Sequence, residues 1–329
     1  MKKPDDSDLT PKQYSRIRQE AGRALAKADA LGCFPTPVAE IMAAAEVQEA
    51  PDDVLDLGFL TRMRKKAGTT LKQALSKVIG LFDAKARLIF IDRSLHAKRK
   101  IFIRLHETAH AFLGWQRDLY AVVEDCERTL APELAELFDR EANVFASEVL
   151  FQLDGFIEEA SSYKFGLNIP LELAEKYGAS IHASIRQYVS QNPRACAVLI
   201  LEPPKVIPRN GFKADLRRVV VSPCFTEKFG ELNCPDCFTP DDEIGAMIPI
   251  NGNSTSGPRE ITLKNSDGEQ YRCIAEAFFN QYNVFILIHS LHTLTRTTII
   301  LPNWQGAQST LLNPKREDQF RQHRDLHGF

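Results

Sequence analysis

The sequence lacks the marks of a membrane-bound, exported or strongly nucleic-acid-binding protein. Its 41 Lys and Arg residues are balanced by 43 Asp and Glu residues, so the formal net charge of −2 gives no general attraction to nucleic acid or anionic lipid. No stretch reaches the roughly 18 uninterrupted apolar residues of a membrane span, and no apolar run follows the lysines of residues 1–6, as a secretory signal requires. Seven cysteines without such a signal favour reduced thiols, so we expect a cytoplasmic protein.

What is present is the composition of an ordinary globular protein, and its pattern changes once along the chain. Up to residue 193, apolar residues recur at helical spacing, most clearly over residues 98–115 and 132–153. Beyond that point, short β-branched runs such as residues 197–201 alternate with turns rich in Gly and Pro. This order predicts an α+β fold. We expect a mainly helical domain with a small sheet over residues 1–193, a strand-rich sensor-like domain over 194–304 and a polar tail over 305–329.

A pair of histidines carries the main chemical signal. Residues 106–110 read His-Glu-Thr-Ala-His, inside a predicted helix. The spacing of four places His106 and His110 on one face, where two imidazoles can bind one Zn²⁺. Glu107 lies about 100° around the helix axis from His106, within reach of a water molecule as a general base. The pattern predicts a zinc hydrolase with Glu107 as catalytic residue, and an amphipathic helix with incidental histidines is the alternative.

A catalytic zinc ion needs a third protein ligand besides the two histidines. The next predicted helix offers Glu141 and Glu148, which are seven residues apart and therefore share a face. Geometry alone does not separate the two, and we choose Glu141. We expect the partners that orient a histidine ring to be among Asp139, Asn143 and Glu148.

Two segments together carry a family resemblance. His106-Glu-Thr-Ala-His110-Ala-Phe-Leu-Gly, followed by Glu141-Ala-Asn-Val-Phe-Ala-Ser-Glu-Val-Leu150, resembles the ImmA/IrrE-type metallopeptidases. That family has an HExxH helix and then an E-A-N-x-F-A-x-E-L-L segment, whose first glutamate is the zinc ligand and maps onto Glu141. The resemblance covers about residues 10–190. It departs at the long segment 115–131 and at residues 151–152, where the family usually ends in a Met-Pro-like pair.

The resemblance implies a zincin-like peptidase with a regulatory task. Such enzymes cut a partner repressor, usually a small helix-turn-helix protein, and so switch on stress, mobile-element or defence genes. The two-part layout is similar to the type associated with bacterial anti-phage (CBASS) operons, in which DNA damage products are the trigger. We expect single-stranded DNA as an activator and, from the balanced charge, no membrane partner. The reaction also needs a donor near the oxyanion. The candidates are His182, Tyr163, Tyr177 and Arg186.

The cysteines allow two further sites. Cys126 lies between the two predicted ligand helices, where its thiolate can fill the open zinc position and keep the enzyme latent. A partly buried free cysteine is the alternative. A structural zinc site is predicted at Cys224, Cys234, Cys237 and Cys273, although the single C-x-x-C pair fits unlinked thiols in a turn equally well.

A basic cluster begins the strand-rich part. Its cations are Lys205, Arg209, Lys213, Arg217 and Arg218, and it encloses Phe212, a candidate stacking partner for single-stranded bases. We expect DNA binding here, and a solvated surface is the alternative. Other functions also fit the whole pattern. They are a signal-sensing transcription regulator and an antitoxin-type binding protein, each with a structural or vestigial metal site.

Overall fold

The first part of the chain is helical, as predicted. In the computed structural model, α1 (Pro11–Lys27) begins at a capping box. The backbone N–H of Gln13 donates to Thr10 Oγ1, and the backbone N–H of Thr10 donates to Gln13 Oε1. Seven further helices precede the large sheet in the described residues. They are α2 (Val38–Ala44), α3 (Ala97–Phe112), α4 (Gly114–Asp125), α5 (Pro132–Leu150), α6 (Gly155–Ser161), α7 (Asn168–Lys176) and α8 (Ile181–Ser190).

The structure describes most of the chain up to residue 290. The described ranges are residues 9–50, 80–84, 86–91, 95–125, 130–207, 211–232, 234–264 and 268–290. Contacts between residues divide the chain into Met1–Ser290 and Leu291–Phe329. The second of these units, with the predicted tail at 305–329, lies outside the described residues. Of the helices within them, none has the length and apolar character needed to cross a bilayer.

A helix occupies most of the segment between the two long helices. The sequence predicted one helix over residues 98–115, but a separate helix, α4, begins at Gly114 and continues to Asp125. A glycine after an apolar helix predicts a helix end. Here only Leu113 leaves the helical conformation, with ψ of 98°, and Gly114 begins the next helix. The chain therefore turns sharply after α3 and places α4 beside it.

A small sheet supports α3. Its strands are β1 (Gln48–Glu49), β2 (Gly80–Asp83) and β3 (Leu88–Ile91), with β3 in the centre, parallel to β1 and antiparallel to β2. Ile89 and Ile91 of β3 are buried in a cluster with Ile103 of α3. Burial of three such side chains, each worth roughly 1.5–3 kcal/mol, fixes one face of the histidine helix.

A large antiparallel sheet follows the helices. Its order is β5-β6-β4-β10-β9-β8, and β7 pairs with β6. The strands are β4 (Cys196–Leu201), β5 (Lys205–Ile207), β6 (Gly211–Val221), β7 (Cys237–Phe238), β8 (Ser254–Lys264), β9 (Gln270–Phe279) and β10 (Val284–Ser290). A ninth helix, α9 (Pro223–Phe229), and a 3₁₀ turn at Gly245–Met247 lie between these strands.

The central strands of this sheet are buried on both faces. Along β4, Val198 and Ile200 join the core formed by the helices, whereas Leu199 and Leu201 join a second core that includes Phe225 of α9. A helical part followed by a sheet confirms the α+β prediction. The helices and the sheet share a core across residue 193, so the division into separate domains at that residue stays a prediction.

Candidate metal centre

The packing of α3 on α5 brings three metal-binding side chains together. Nε2 of His106 lies 3.9 Å from Oδ1 of Asp139, and Nε2 of His110 lies 4.0 Å from the same oxygen. The two imidazole rings lie 5.0 Å apart between centroids and are almost perpendicular, at 84°. One ligand atom from each of the three residues lies within 4.8 Å of the others, the arrangement expected of a divalent metal site.

The hydrogen bonds on the far side of each ring favour metal binding at Nε2. Nδ1 of His106 lies 3.1 Å from Oδ1 of Asn143, and Nδ1 of His110 lies 2.7 Å from Oε1 of Gln116. An amide oxygen only accepts, so each Nδ1 carries the proton and each Nε2 keeps its lone pair. Asn143, suggested from the sequence as a residue that orients a histidine, thus contacts the His106 ring.

Burial keeps both imidazoles neutral, as metal ligands must be. Burial, reinforced by the neighbouring His110, lowers the pKa of His106 to about 3. Burial also lowers the pKa of His110 to about 4, against the opposing effect of the Gln116 hydrogen bond. Two imidazole nitrogens and one carboxylate oxygen form a ligand set that suits zinc, so the residues present fit this metal.

Glu107 lies beside this group and is only 7% exposed. Burial, followed by the nearby Asp139 carboxylate, raises its pKa to about 8. A divalent cation at the adjacent site would favour the ionised carboxylate. A buried carboxylate with a shifted pKa beside such a metal-binding group is a candidate for acid–base chemistry.

The acidic residue beside the histidines is Asp139, not Glu141. Glu141 was the expected third ligand, but its Oε2 accepts hydrogen bonds from Gln116 Nε2 at 2.6 Å and from Trp115 Nε1 at 2.8 Å. The sequence had suggested Asp139 only as a partner for a histidine. Asp139 and Asn143 are four residues apart, so both lie on the face of α5 that meets α3. Glu141 lies two residues after Asp139 and therefore on a different face of the helix.

Glu148, the other residue suggested to orient a histidine, has a different role. It is 2% exposed, accepts a hydrogen bond from the Tyr14 hydroxyl and lies 3.2 Å from the Arg18 guanidinium. Both partners belong to α1, so Glu148 joins α1 to α5. The sequence interpretation of Glu148 is therefore corrected to a contact between helices.

The sequence analysis missed two residues of the centre, both on α4. Gln116 is fully buried against His110, and the ring of Tyr120 packs edge-on against His110 with centroids 5.4 Å apart. Burial, with the Asp139 and Glu107 carboxylates, raises the pKa of Tyr120 above its ordinary value. The signal that could have identified both residues is their spacing. Gln116 and Tyr120 are four residues apart, so they share one face once residues 114–125 are recognised as a helix.

The four residues suggested as oxyanion donors make their described contacts outside the metal centre. The Tyr177 hydroxyl donates to Glu159 at 3.0 Å, and Tyr163 is 48% exposed. The His182 ring packs 6.0 Å from Phe285 of the large sheet, on the α8 face that also bears Arg186. Among the described residues, only Tyr120 combines a hydroxyl group with ring contact to a metal-binding histidine.

The predicted cysteine sites gain no support from the described residues. Cys126 lies outside them. No three of Cys224, Cys234, Cys237 and Cys273 form a metal-binding group there. Burial raises the pKa of Cys273 to about 11 and also raises that of Cys234, which disfavours the thiolate that zinc needs.

The basic cluster is largely balanced by acids. Lys205 lies 3.1 Å from Glu202 and 3.2 Å from Asp215, and Lys213 lies 2.9 Å from Asp215. Phe212 is 6% exposed and belongs to the second core, so the stacking role is corrected to a packing role. Arg209 lies outside the described residues. Arg217, which donates to Asn283, and Arg218 adjoin a β-bulge opposite Ile200 and Leu201.

A buried glutamate beside two histidines and a carboxylate defines the class of site found in metallopeptidases. Residues 63–185 match the model of the peptidase M78 family, described as IrrE N-terminal-like domain. The matched range contains all residues of the centre, so this segment of the chain is similar to that peptidase domain. The ImmA/IrrE resemblance is confirmed at this level, and the anti-phage subtype stays a prediction.

Comparison with solved structures finds eleven similar chains. One is a Mycobacterium tuberculosis transcriptional regulator with 13% sequence identity and a TM-score of 0.48, a match that covers 88% of this chain and 94% of that chain. At these values the likeness carries no argument about function. A comparison with curated proteins finds no match.

Proposed function

We propose that the protein is a zinc-dependent endopeptidase that cleaves a small helix-turn-helix repressor and so derepresses stress or anti-phage defence genes. The observation that carries the enzymatic part is the convergence of His106, His110 and Asp139 beside the buried Glu107, inside the matched peptidase segment. The repressor substrate is inferred from the resemblance to ImmA/IrrE-type enzymes.

His106 and His110 would hold zinc through Nε2, and Asp139 through a carboxylate oxygen. Asp139 is 64% exposed, so the centre opens to solvent on its side and leaves room for a substrate carbonyl. When bound, zinc supplies Lewis acidity, which polarises a carbonyl and lowers the pKa of water.

Glu107 then carries the proton transfers. Its carboxylate takes a proton from the water that attacks the scissile carbonyl, and the protonated acid returns that proton to the leaving amine nitrogen. Burial raises the pKa of Glu107 in the metal-free protein, and bound zinc would favour the ionised carboxylate that takes the first proton. The Tyr120 hydroxyl, which keeps its proton at neutral pH, would donate to the developing oxyanion.

Activation by single-stranded DNA is a second part of the proposal. We assign phosphate contact to Arg217 and Arg218, two adjacent cations at the β-bulge, of which Arg217 is exposed. Replacing both arginines with alanine should weaken binding of a fluorescent oligonucleotide and flatten its salt dependence. Unchanged affinity in that variant would exclude this surface.

The decisive experiment replaces Glu107 with glutamine. The full chain, loaded with zinc, is incubated with candidate helix-turn-helix repressor proteins, and products are identified by mass spectrometry. Glu107→Gln should retain one metal ion per chain and lose about 10²–10⁴-fold in cleavage rate, the usual contribution of a general base. Glu133→Gln, at an exposed position of α5, is the control and should cleave normally.

Other outcomes would select the alternatives. Wild-type rates in Glu107→Gln would exclude the hydrolytic role. Retention of all cellular function by the same variant would favour a regulator or an antitoxin-type binding protein with a structural metal site.

A further inference from the structure

A buried amide connects the two helices of the metal centre. Gln116 lies in the first turn of α4, directly after the turn at Leu113, and is fully buried. Its side chain contacts His110 on one side and α5 on the other. All of its polar atoms have partners: Oε1 lies 2.7 Å from His110 Nδ1, and Nε2 donates to Glu141 at 2.6 Å and to the Phe138 carbonyl at 3.3 Å.

These contacts fix which way the amide points. A carboxylate and a carbonyl oxygen only accept, so both N–H bonds of Nε2 must face α5. The amide oxygen is then left facing His110, and it requires the proton on Nδ1. A reversed amide would confront Glu141 with an oxygen and would offer His110 a donor. The imidazole would then carry its proton on Nε2, where zinc must bind.

Glu141 is itself held in place. Its Oε2 accepts the Trp115 indole N–H as well as the Gln116 amide, and the Arg16 guanidinium lies 3.7 Å from the centroid of the Trp115 ring. Two neighbouring residues of α4 therefore donate to one carboxylate oxygen of α5, and Arg16 of α1 packs over one of them. The conformation of Gln116 is specified by groups that do not touch the metal-binding atoms.

We propose that Gln116 is a positioning residue that sets the metal-binding tautomer of His110, and that Glu141 anchors the Gln116 amide. The chain of contacts runs from Glu141 through Gln116 to His110 Nδ1 and leaves His110 Nε2 directed at Asp139. The role in metal binding rests on the proposed function, while the tautomer itself is a property of the metal-free protein. Loss of such an outer partner typically costs 10–100-fold in metal affinity.

The first measurement uses the full metal-free chain labelled with ¹⁵N-histidine. Long-range ¹H–¹⁵N correlation spectra distinguish the two tautomers of a neutral imidazole, and His110→Gln identifies the signal. We expect the Nδ1–H form for His110 in the wild type and a mixture of tautomers in Gln116→Leu. An unchanged His110 tautomer in Gln116→Leu overturns the proposal, whatever the metal affinity.

The second measurement is zinc affinity by competition with a chromogenic chelator. Gln116→Leu should bind zinc about 10–100-fold more weakly than the wild type. Gln116→Glu places a carboxylate against Glu141 and should also weaken binding, whereas the double variant Gln116→Glu with Glu141→Gln restores a donor opposite an acceptor and should recover part of the loss. Absence of any recovery contradicts the role of Glu141 as the anchor.

A matched control exists elsewhere in the chain. Gln152 is also a buried glutamine, whose amide contacts Ala30, Gly32 and Thr36 far along the sequence from the centre. Gln152→Leu should lower stability but leave the His110 tautomer and the zinc affinity unchanged. A wild type that shows the expected tautomer but binds no zinc would refute the proposed function and leave the positioning role intact.

Discussion

Oδ1 of Asp139 lies 3.9 Å from Nε2 of His106, across the interface between α3 and α5. The same oxygen faces His110, so one exposed carboxylate completes a group that the two histidines begin. The buried carboxylate two residues away, Glu141, instead receives hydrogen bonds from Gln116 and Trp115. Asp139 and Glu141 of α5 thus have different contacts, and substitutions at the two positions should change zinc affinity to different extents.

Asp139→Asn should lose zinc more severely than Glu141→Gln. The first change removes an anionic ligand, whereas the second weakens an outer contact worth about 10–100-fold in affinity. Chelator competition on both variants measures the difference, and elemental analysis of the wild type should give one metal ion per chain. The reverse order of affinities would restore Glu141 as the third ligand.

The pH dependence of stability in the metal-free protein should report on Glu107. Burial raises its folded-state pKa from an ordinary 4.5 to about 8, so its contribution to stability is full below pH 4.5 and is lost as the pH rises towards 8. The two histidines act in the opposite sense at lower pH, because their pKa values fall on folding.

Comparison with Glu107→Gln isolates the carboxylate. Urea unfolding in the presence of a chelator should show the wild type losing free energy of unfolding relative to this variant between pH 5 and pH 8, a range that spans the shift. Glu172→Gln, at an exposed position of α7, provides the control and should parallel the wild type. A constant difference between wild type and Glu107→Gln would contradict the raised pKa.

Tyr14→Phe should destabilise the packing of α1 on α5. The Tyr14 hydroxyl donates a hydrogen bond to the buried Glu148 carboxylate. Removing the hydroxyl leaves the carboxylate without this bond and should lower the free energy of unfolding by about 1–3 kcal/mol. Chemical denaturation measures the loss. Tyr163→Phe, at a half-exposed ring, should cost much less, and equal losses in the two variants would argue against a special role for the Tyr14 contact.

Ser222→Ala should destabilise the start of α9 more than Ser180→Ala destabilises α8. Ser180 caps α8 with one accepted hydrogen bond, from Ala183. Ser222 accepts from Phe225 and from Cys196 of β4, and it donates to the Arg194 carbonyl at 2.6 Å. A simple cap is worth about 1 kcal/mol, so we expect Ser222→Ala to exceed that value in urea unfolding while zinc affinity is retained.

Local pattern was enough to predict much of the architecture. The helical spacing of apolar residues predicted α3 and α5, and a β-branched run predicted β4, because each pattern lies within one continuous segment of the chain. The pattern failed after Phe112. The predicted helix ran on to residue 115, whereas Leu113 leaves the helical conformation and a new helix begins at Gly114.

The sequence by itself determined that His106, Glu107 and His110 share one turn of a helix, since a spacing of four residues fixes a common face in any α-helix. Two motifs read together also gave the resemblance to ImmA/IrrE-type peptidases, which the family match over residues 63–185 supports. Only the tertiary structure decided which acid meets those histidines and which amide orients them. A turn separates Gln116 from the motif, and the turn and α4 separate Asp139 and Glu141 from it. The distances of these residues from the histidines depend on how α3, α4 and α5 pack, which the spacing of residues along the chain does not determine.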